Sequence, residues 1–411
     1  MTSFLPARLS PSRLAPNAAT SALLAVLLLA APGFAPADEQ EHGAGAVKLL
    51  ATVPVPGVQM KAFDISWIDA DTQLYYLADR SNAAVEVVDA KRNVFVRQIH
   101  GGFRGFTGNN DTSGPNGVVV AGNFLFVTDA PSRVVTIDLR SDAIVGEVNT
   151  GGAPGLRADE IAYDPEHSLL LAVNNADTPP FATLIKVDRN TGALSIQQRI
   201  TFADATGGAE QPQWNPGNGR FYISIPEIGG VVQNGAVKKI NPGSGAVEAT
   251  FPVQNCQPAG LTVGPNQDLL VGCSVIFDTA GNPWTRDPAA VQPSARPTSI
   301  IMDARNGSID KVVEGVGGND EVWFNAGDGR YYLAARNNPT GPVLGVIDAK
   351  TQTLEQIVPT VNQAPGSAHS VAVNARNNRA LVPLPANNVV AGCLNGCIAV
   401  FGTPGNRRDG D

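Results

Sequence analysis

Short stretches of alternating apolar and polar residues recur along almost the whole chain from residue 46 onward. Each repeating unit opens with two such stretches around a tight turn, as in EVWFNAGDGRYYLAA (321–335). It ends with an apolar stretch that closes on Asp or a near equivalent, as in AAVEVVDAKRN (83–93). A period of two, bounded by turn residues that tolerate left-handed backbone conformations, predicts β-strands.

The residues that close these units define the repeat. They recur at intervals of 45 to 62 positions, at Asp89, Asp138, Asp188, Asn241, Asp303, Asp348 and Phe401. Four strands in about 50 residues is the size of one propeller blade. We therefore predict an all-β fold, a seven-bladed β-propeller with four antiparallel strands per blade, as one domain over residues 46–404. The last unit lacks an outer strand, so the segment 46–57 is expected to complete it and remove the open edge.

The N-terminal segment has the pattern of a cleavable signal peptide. Two arginines precede the apolar run SALLAVLLLAA (21–31), which is too short to span a bilayer, and a small-residue APA site follows it. The sequence thus predicts a signal peptide over 1–37, a flexible N-terminal tail over 38–45, a C-terminal tail over 405–411, and a periplasmic or secreted protein without membrane insertion.

Charge and cysteine content narrow the class of partner and the compartment. The net charge of −8 becomes about −10 once the two arginines of the signal peptide are removed, which argues against nucleic acid as a partner. The four cysteines form two local pairs, Cys256 with Cys273 and Cys393 with Cys397. An even count in an exported chain predicts disulfides, with metal binding by the CxxxC pair as the alternative.

Polar residues lie just ahead of the first strand of most units, and in a propeller this position rings the mouth of the central channel. The aligned pairs are Phe63-Asp64, Asn116-Gly117, Asp159-Glu160, Glu210-Gln211, Ala259-Gly260, Asp320-Glu321 and His369-Ser370. Crowded carboxylates must be protonated, paired or bridged by a cation, and their oxygens suit Ca²⁺. The expected cation ligands are Asp64, Asn116, Glu160, Asp320 and Glu321.

A bound cation could polarise an ester or lactone carbonyl or activate water. We expect His369 and Glu321 to carry the catalysis, with His369 as the proton carrier because the pKa of histidine lies near neutrality. Substrate contacts are predicted from residues that follow second strands or lie in loops: Arg104, Asn174, Trp284 and Arg336. The alternative is that these polar residues only cap turns and face a water-filled channel.

Two further sets of residues are expected to be structural. Aromatic residues of the first strands should pack between blades, at Trp67, Tyr163, Trp214 and Phe324. The aspartates that close the units should accept hydrogen bonds from turn backbone, as Asp commonly does.

The repeat N-x-x-V-x-V-[VI]-D, seen in NAAVEVVD (82–89), resembles the YVTN/YncE-type propeller repeat. More distantly, the chain is similar to the gluconolactonase and regucalcin-type propellers. The second resemblance implies a divalent cation, usually Ca²⁺, at the channel mouth and a metal-dependent hydrolase of a small ester or lactone. The first implies a non-enzymatic binding or scaffold propeller that holds a small ligand or a periplasmic protein. In either case we expect a monomer.

Overall fold

The structure is a computed structural model that describes residues 45–285, 294–361 and 369–405. The predicted signal peptide, nearly all of both predicted tails and part of the segment 277–297 lie outside the described residues. Residues 45–405, apart from the two gaps, belong to one compact unit.

The chain begins with strand β1 (Lys48–Pro54), and 27 further strands follow. Blades one and two contain β2 (Ser66–Asp69), β3 (Leu74–Asp79), β4 (Ala84–Asp89), β5 (Val94–Ile99), β6 (Val118–Ala121), β7 (Phe124–Asp129), β8 (Arg133–Asp138) and β9 (Ala143–Asn149). Blades three and four contain β10 (Ile161–Asp164), β11 (Leu169–Asn174), β12 (Phe181–Val187), β13 (Leu194–Thr201), β14 (Pro212–Asn215), β15 (Arg220–Ile225), β16 (Asn234–Ile240) and β17 (Val247–Gln254). Blades five and six contain β18 (Cys256–Val263), β19 (Asp268–Ile276), β20 (Thr298–Asp303), β21 (Ile309–Glu314), β22 (Val322–Asn325), β23 (Arg330–Ala335), β24 (Val343–Asp348) and β25 (Thr353–Pro359). Blade seven contains β26 (Ala372–Asn374), β27 (Arg379–Leu384) and β28 (Cys397–Gly402) together with β1.

The seven sheets form a ring. In each of blades one to six, four consecutive strands pair antiparallel in chain order. The first strand of every blade contacts the first strand of the next, from β2 through β26 and back to β2. The prediction of a seven-bladed all-β propeller is therefore confirmed. We call the end of the channel where the first strands begin the mouth, and the other the far end.

The N-terminal strand completes the last blade, as predicted. In the seventh sheet β1 pairs antiparallel with β28, where Thr52 lies opposite Ala399 and Val53 opposite Ile398. The outer edge of β28 is thereby covered, and the first and last described strands of the chain share one blade.

Apolar side chains from facing sheets fill the space between blades. One of these clusters joins Tyr332 and Leu344 of blade six to Val382 and Phe401 of blade seven. The blades are held together by this burial, since each sheet alone leaves its apolar faces exposed.

The turn aspartates behave as predicted. The Oδ1 atom of Asp89 accepts hydrogen bonds from the backbone N–H groups of Lys91 and Arg92 at 2.9 and 2.8 Å. The equivalent backbone bond occurs at Asp138, Asp188, Asn241, Asp303 and Asp348.

Both predicted disulfides are present, Cys256–Cys273 in blade five and Cys393–Cys397 in blade seven. They leave no cysteine free and fit an oxidising compartment. Within the described part of the chain, no helix has the length and apolar character needed to cross a membrane.

Candidate functional site

Backbone hydrogen bonds between first and second strands fix which residues are equivalent at the mouth. The N–H of Asp64 donates to Ala78, that of Asp159 to Val173 and that of Asp320 to Ala334, at 2.7 to 3.0 Å. Asn116 and Glu210 make the same bond. These residues, with His369 in blade seven, are the first row, and the residues that directly follow them are the second row.

This register corrects the alignment of the first unit by one residue. Asp64 is equivalent to Asp320, and Ile65 takes the position of Glu160 and Glu321. Phe63 and Ile65 are both apolar, so the hydrophobic pattern alone does not distinguish the two registers.

Adjacent blades are also joined by backbone bonds at this level. The second-row N–H groups of Ile65 and Gly117 donate to the first-row carbonyls of Asn116 and Asp159, at 3.2 and 3.0 Å. The N–H of Glu321 donates to the carbonyl of His369 at 3.3 Å. These bonds bring the two rows of side chains together around the axis.

Asp64 is the centre of an ion-pair network. Its Oδ2 atom accepts from Arg80 and, at 3.3 Å, from Arg157 Nη1, and its Oδ1 atom lies 2.8 Å from His369 Nε2. Burial raises the pKa of Asp64, but the charges of Arg80 and Arg157 and the bond from His369 outweigh it and hold the pKa well below its usual range. Asp64 is thus a buried carboxylate at neutral pH.

His369 lies between two carboxylates. Its Nδ1 atom is 2.7 Å from Asp320 Oδ2, which also lies 2.8 Å from Arg336 Nη2. Burial lowers the pKa of His369, yet Asp320 and Asp64 outweigh it and raise the pKa to about 9, against the opposing charge of Arg336. Burial raises the pKa of Asp320, while Arg336 and His369 lower it to about 2.

The raised pKa makes His369 an imidazolium at neutral pH; its Nε2 atom lies 2.8 Å from Asp64 Oδ1, and its Nδ1 atom lies 2.7 Å from both Asp320 Oδ2 and Arg336 Nη1. Its selection as a proton carrier rested on the ordinary pKa of histidine, and that premise is wrong in this environment. A catalytic role for His369 stays a prediction.

Asn116 and Asp159 are also engaged by arginines. Asn116 Oδ1 accepts from Arg80 Nε and Nη2 at 2.9 and 2.8 Å, and its Nδ2 atom donates to the carbonyl of Ala158 at 2.8 Å. Arg157 Nη2 lies 2.8 Å from Asp159 Oδ2. Burial raises the pKa of Asp159 to about 7 although Arg157 lowers it. Of the expected cation ligands, Asp64, Asn116 and Asp320 are therefore bound by side chains of the protein.

Three glutamates form a second group at the axis, which we call the glutamate cluster: Glu160, Glu210 and Glu321. Glu160 is only 6% exposed, and its Oε2 atom is buried without a hydrogen-bond partner among the described residues. Burial and then the charges of Glu321 and Glu210 raise the pKa of Glu160 far above its usual range.

The other two glutamates are also shifted. Glu321 accepts a hydrogen bond from Ser370 Oγ, which lies 2.7 Å from Ser66 Oγ. Burial, together with neighbouring carboxylates, raises the pKa of both Glu321 and Glu210 to about 8, although Ser370 and His369 lower that of Glu321 and Arg157 lowers that of Glu210. Glu321 and Glu210, like Asp159, therefore have pKa values closer to neutrality than that of His369.

A cavity of about 570 Å³ opens beside the cluster at the mouth. Its polar lining comes from the loops that follow second strands and precede first strands: Asp111, Asn175, Asp177, Thr206 and Glu210. Glu210 belongs to both the cavity wall and the cluster, so a small molecule in this cavity would contact an acid–base group.

The four predicted substrate contacts are scattered. Arg336 joins the ion-pair network, and its side chain is 37% exposed. Asn174 is fully buried, where its Oδ1 atom accepts from Thr150 Oγ1 at 2.7 Å. Trp284 packs against the apolar cluster between blades four and five, and Arg104 is exposed with its backbone N–H bound to Asp129. Substrate contact by these residues stays a prediction.

The prediction missed Arg80 and Arg157, which between them bind Asp64, Asn116 and Asp159 of the first row. Arg80 follows the second strand in LADRSN (77–82), at the position that Arg336 occupies in LAARNN (333–338). The repeat therefore carried a signal for Arg80. Arg157 lies in the connection two residues before Asp159, and no repeat marks it.

The carboxylates at the mouth bear on whether the protein can hold a metal ion. Across 45–285, 294–361 and 369–405, no group of three or more His, Cys, Asp or Glu side chains is arranged to hold one. A feature that fits a cation is the orphaned, buried Oε2 atom of Glu160, on which the charges of Glu321 and Glu210 act.

No family model matches the sequence, and no curated protein matches it. Among solved structures, the chain is similar to hydrazine synthase of Kuenenia stuttgartiensis, with 13% sequence identity and a TM-score of 0.62. The likeness covers 84% of this chain and 96% of that chain. At this identity it shows the propeller fold alone.

Proposed function

We propose that this chain is an exported propeller whose glutamate cluster binds a divalent cation at the channel mouth, and that it hydrolyses a small ester or lactone in the adjoining cavity. The observation that carries the proposal is Glu160, whose buried Oε2 atom has no hydrogen-bond partner in the described structure. A buried ionisable group of this kind needs a proton or a cation.

The balance of charge supports a divalent cation. The two rows hold six carboxyls, Asp64, Asp159, Glu160, Glu210, Asp320 and Glu321, and four cations lie within or against them, Arg80, Arg157, Arg336 and protonated His369. With every group ionised, two negative charges remain. The four protein cations pair with the aspartates, so the excess falls on the glutamates, and Ca²⁺ would neutralise it with oxygen ligands.

When bound, Ca²⁺ would polarise the substrate carbonyl or lower the pKa of a water molecule. The chain supplies the remaining parts. Glu160 and Glu321 would hold the ion, and Glu210, which faces the cavity with a pKa raised to about 8, would transfer protons. Arg336, partly exposed beside His369, would bind a negatively charged part of the substrate.

The second candidate is a YncE-like binding propeller without catalysis. It is favoured by the ion-pair network itself, in which Arg80, Arg157 and His369 neutralise Asp64 without a metal ion. In that case the glutamates stay protonated and the mouth cavity holds a ligand or a partner protein.

Metal content and melting distinguish the two. Mature protein purified without chelator would be analysed by mass spectrometry and melted with EDTA and with added Ca²⁺. We expect about one Ca²⁺ per chain, and stabilisation by about 2.7 kcal/mol when free Ca²⁺ exceeds the Kd about 100-fold.

The double variant Glu160→Gln/Glu321→Gln should lose this stabilisation. Glu147→Gln/Glu248→Gln, which removes two carboxylates from surface ion pairs, is the matched control and should keep it. A wild-type protein without metal and without a Ca²⁺ effect would refute the cation site. A cation site without lactone or ester hydrolysis in a proton-release assay would refute the hydrolase.

A further inference from the structure

A second cavity lies at the far end of the channel, and its lining includes no residue of the two rows or of the mouth cavity. Its volume is about 730 Å³, and it is lined by the ends of the first strands of blades one to four and by turns of blades two and three. This volume is typical of a small-molecule site.

Aromatic rings and small apolar side chains form much of its wall. Trp67 and Tyr163 are half-buried there, and the ring of Tyr163 stacks on Phe126 with centroids 5.8 Å apart and planes 19° apart. Trp214 lies on the blade-four side, and β6 adds Val119 and Val120. Flat faces of this kind favour a flat aromatic guest, because stacked rings gain energy beyond the area they bury.

The polar groups of the cavity divide into two sides. On the blade-one side, Asp69 accepts from the backbone N–H of Asp71 at 3.2 Å, and Asp71 lies 3.4 Å from Arg376. On the blade-three side, Arg189 donates to Ser168 Oγ and to the carbonyl of Pro165. Those acceptors are neutral, and Arg189 forms no ion pair with a carboxylate of the described chain.

Two other polar side chains of the cavity, Arg140 and Trp214, differ in whether they are free to bind a ligand. Arg140, on the blade-two rim, already binds the carboxylate of Asp138 through Nε and Nη2 at 2.9 and 2.6 Å. Trp214 has a buried indole N–H without an acceptor in the described structure. The positive charge of Arg189 is therefore available to a ligand, and the indole N–H of Trp214 is an unused hydrogen-bond donor.

We propose that this far-end cavity binds a planar aromatic carboxylate, with its rings between Trp67 and Tyr163 and its carboxylate on Arg189. The apolar wall selects the rings, and the uncompensated guanidinium selects the negative charge. The carboxylates on the opposite side are already engaged, Asp71 by Arg376 and Asp69 by Thr72 and the backbone of its own turn, so the charge left for a ligand is that of Arg189.

Titration calorimetry with 1-naphthoate tests the proposal on the mature full-length chain. We expect saturable binding, unaffected by EDTA, and much weaker binding of 1-naphthylmethylamine, which has similar rings and a positive charge. Arg189→Gln should weaken naphthoate binding about tenfold or more, since a hydrogen bond to a charged group is lost.

Arg305→Gln is the matched control, because Arg305 also follows a turn aspartate and lies outside the cavity. Trp214→Phe keeps the ring and removes only the donor, so it should weaken binding less than Arg189→Gln. Absence of saturable binding at millimolar naphthoate, equal binding of the amine, or equal losses in Arg189→Gln and Arg305→Gln would each overturn the proposal.

Discussion

Replacing Asp64 by Asn tests whether the ion-pair network holds the mouth together. The substitution keeps the size of the side chain and removes the charge that Arg80, Arg157 and His369 surround. Arg80 is only 2% exposed and would become a buried cation without its carboxylate. Breaking a buried pair in this way costs about 3–5 kcal/mol.

That cost corresponds to a measurable change in melting temperature. For a propeller of roughly 350 residues, an unfolding entropy of about 2.1 cal/mol/K per residue gives a fall in Tm of about 4–7 °C. The assay is thermal unfolding followed by circular dichroism at neutral pH. Asp71→Asn is the control, because Asp71 is 94% exposed in its pair with Arg376 and should change Tm by no more than the measurement error.

The pH dependence gives a second, independent check. The pKa of Asp64 is lowered in the folded protein, so its contribution to stability is present above the unfolded pKa of about 3.9 and is lost as the pH falls through the folded pKa. The Tm difference between wild type and Asp64→Asn should therefore narrow at about pH 2. A neutral-pH loss no larger than that of Asp71→Asn would refute the role given to Asp64.

Three further predictions follow from the same structure. The pKa of His369 is raised to about 9, so its contribution to the stability of the fold is present below about pH 6.5 and is lost as the pH rises through 9. The Tm of wild type should therefore fall more steeply between about pH 6.5 and 9 than the Tm of His369→Gln. Burial and neighbouring carboxylates raise the pKa of Glu160 in the folded protein, so the unfolded chain ionises it more readily. Without Ca²⁺, Glu160→Gln should therefore gain Tm relative to wild type as the pH rises above the unfolded pKa of about 4.3, and a constant difference would contradict this. Removing a disulfide should lower the free energy of unfolding measured with urea, by about 3 kcal/mol for Cys256→Ser/Cys273→Ser and about 2 kcal/mol for Cys393→Ser/Cys397→Ser. The first loss is larger because that bridge spans 17 positions and the other spans 4. A larger loss for the second pair would contradict the loop-entropy reasoning.

The fold was predictable because the alternation of apolar and polar residues and the spacing of the turn aspartates both indicate the same four-stranded blade. The alternation in segments such as 321–335 defines two strands and their turn, and the recurring turn aspartates define the blade. The missing outer strand of the last unit and the spare strand at residues 46–57 together predicted the closure.

The electrostatics of the mouth were predictable only in part. Repeat geometry gathered the carboxylates, but it does not show which of them an arginine reaches. Arg157 contacts Asp64 across blades, and that contact depends on the path of a connection that follows no repeat. The pKa of His369 depends on burial and on two carboxylates from different blades, which no local pattern encodes.

The pairing of β1 with β28 has a consequence for the order of folding. Thr52 lies opposite Ala399, so the ring closes between residues 347 positions apart, and contacts of such long range form slowly. Until β1 docks, the edge of β28 is open to a strand from another chain. At high concentration, strand exchange between chains competes with closure. A synthetic peptide of residues 46–57, added to a chain that lacks them, would complete the blade in the same way.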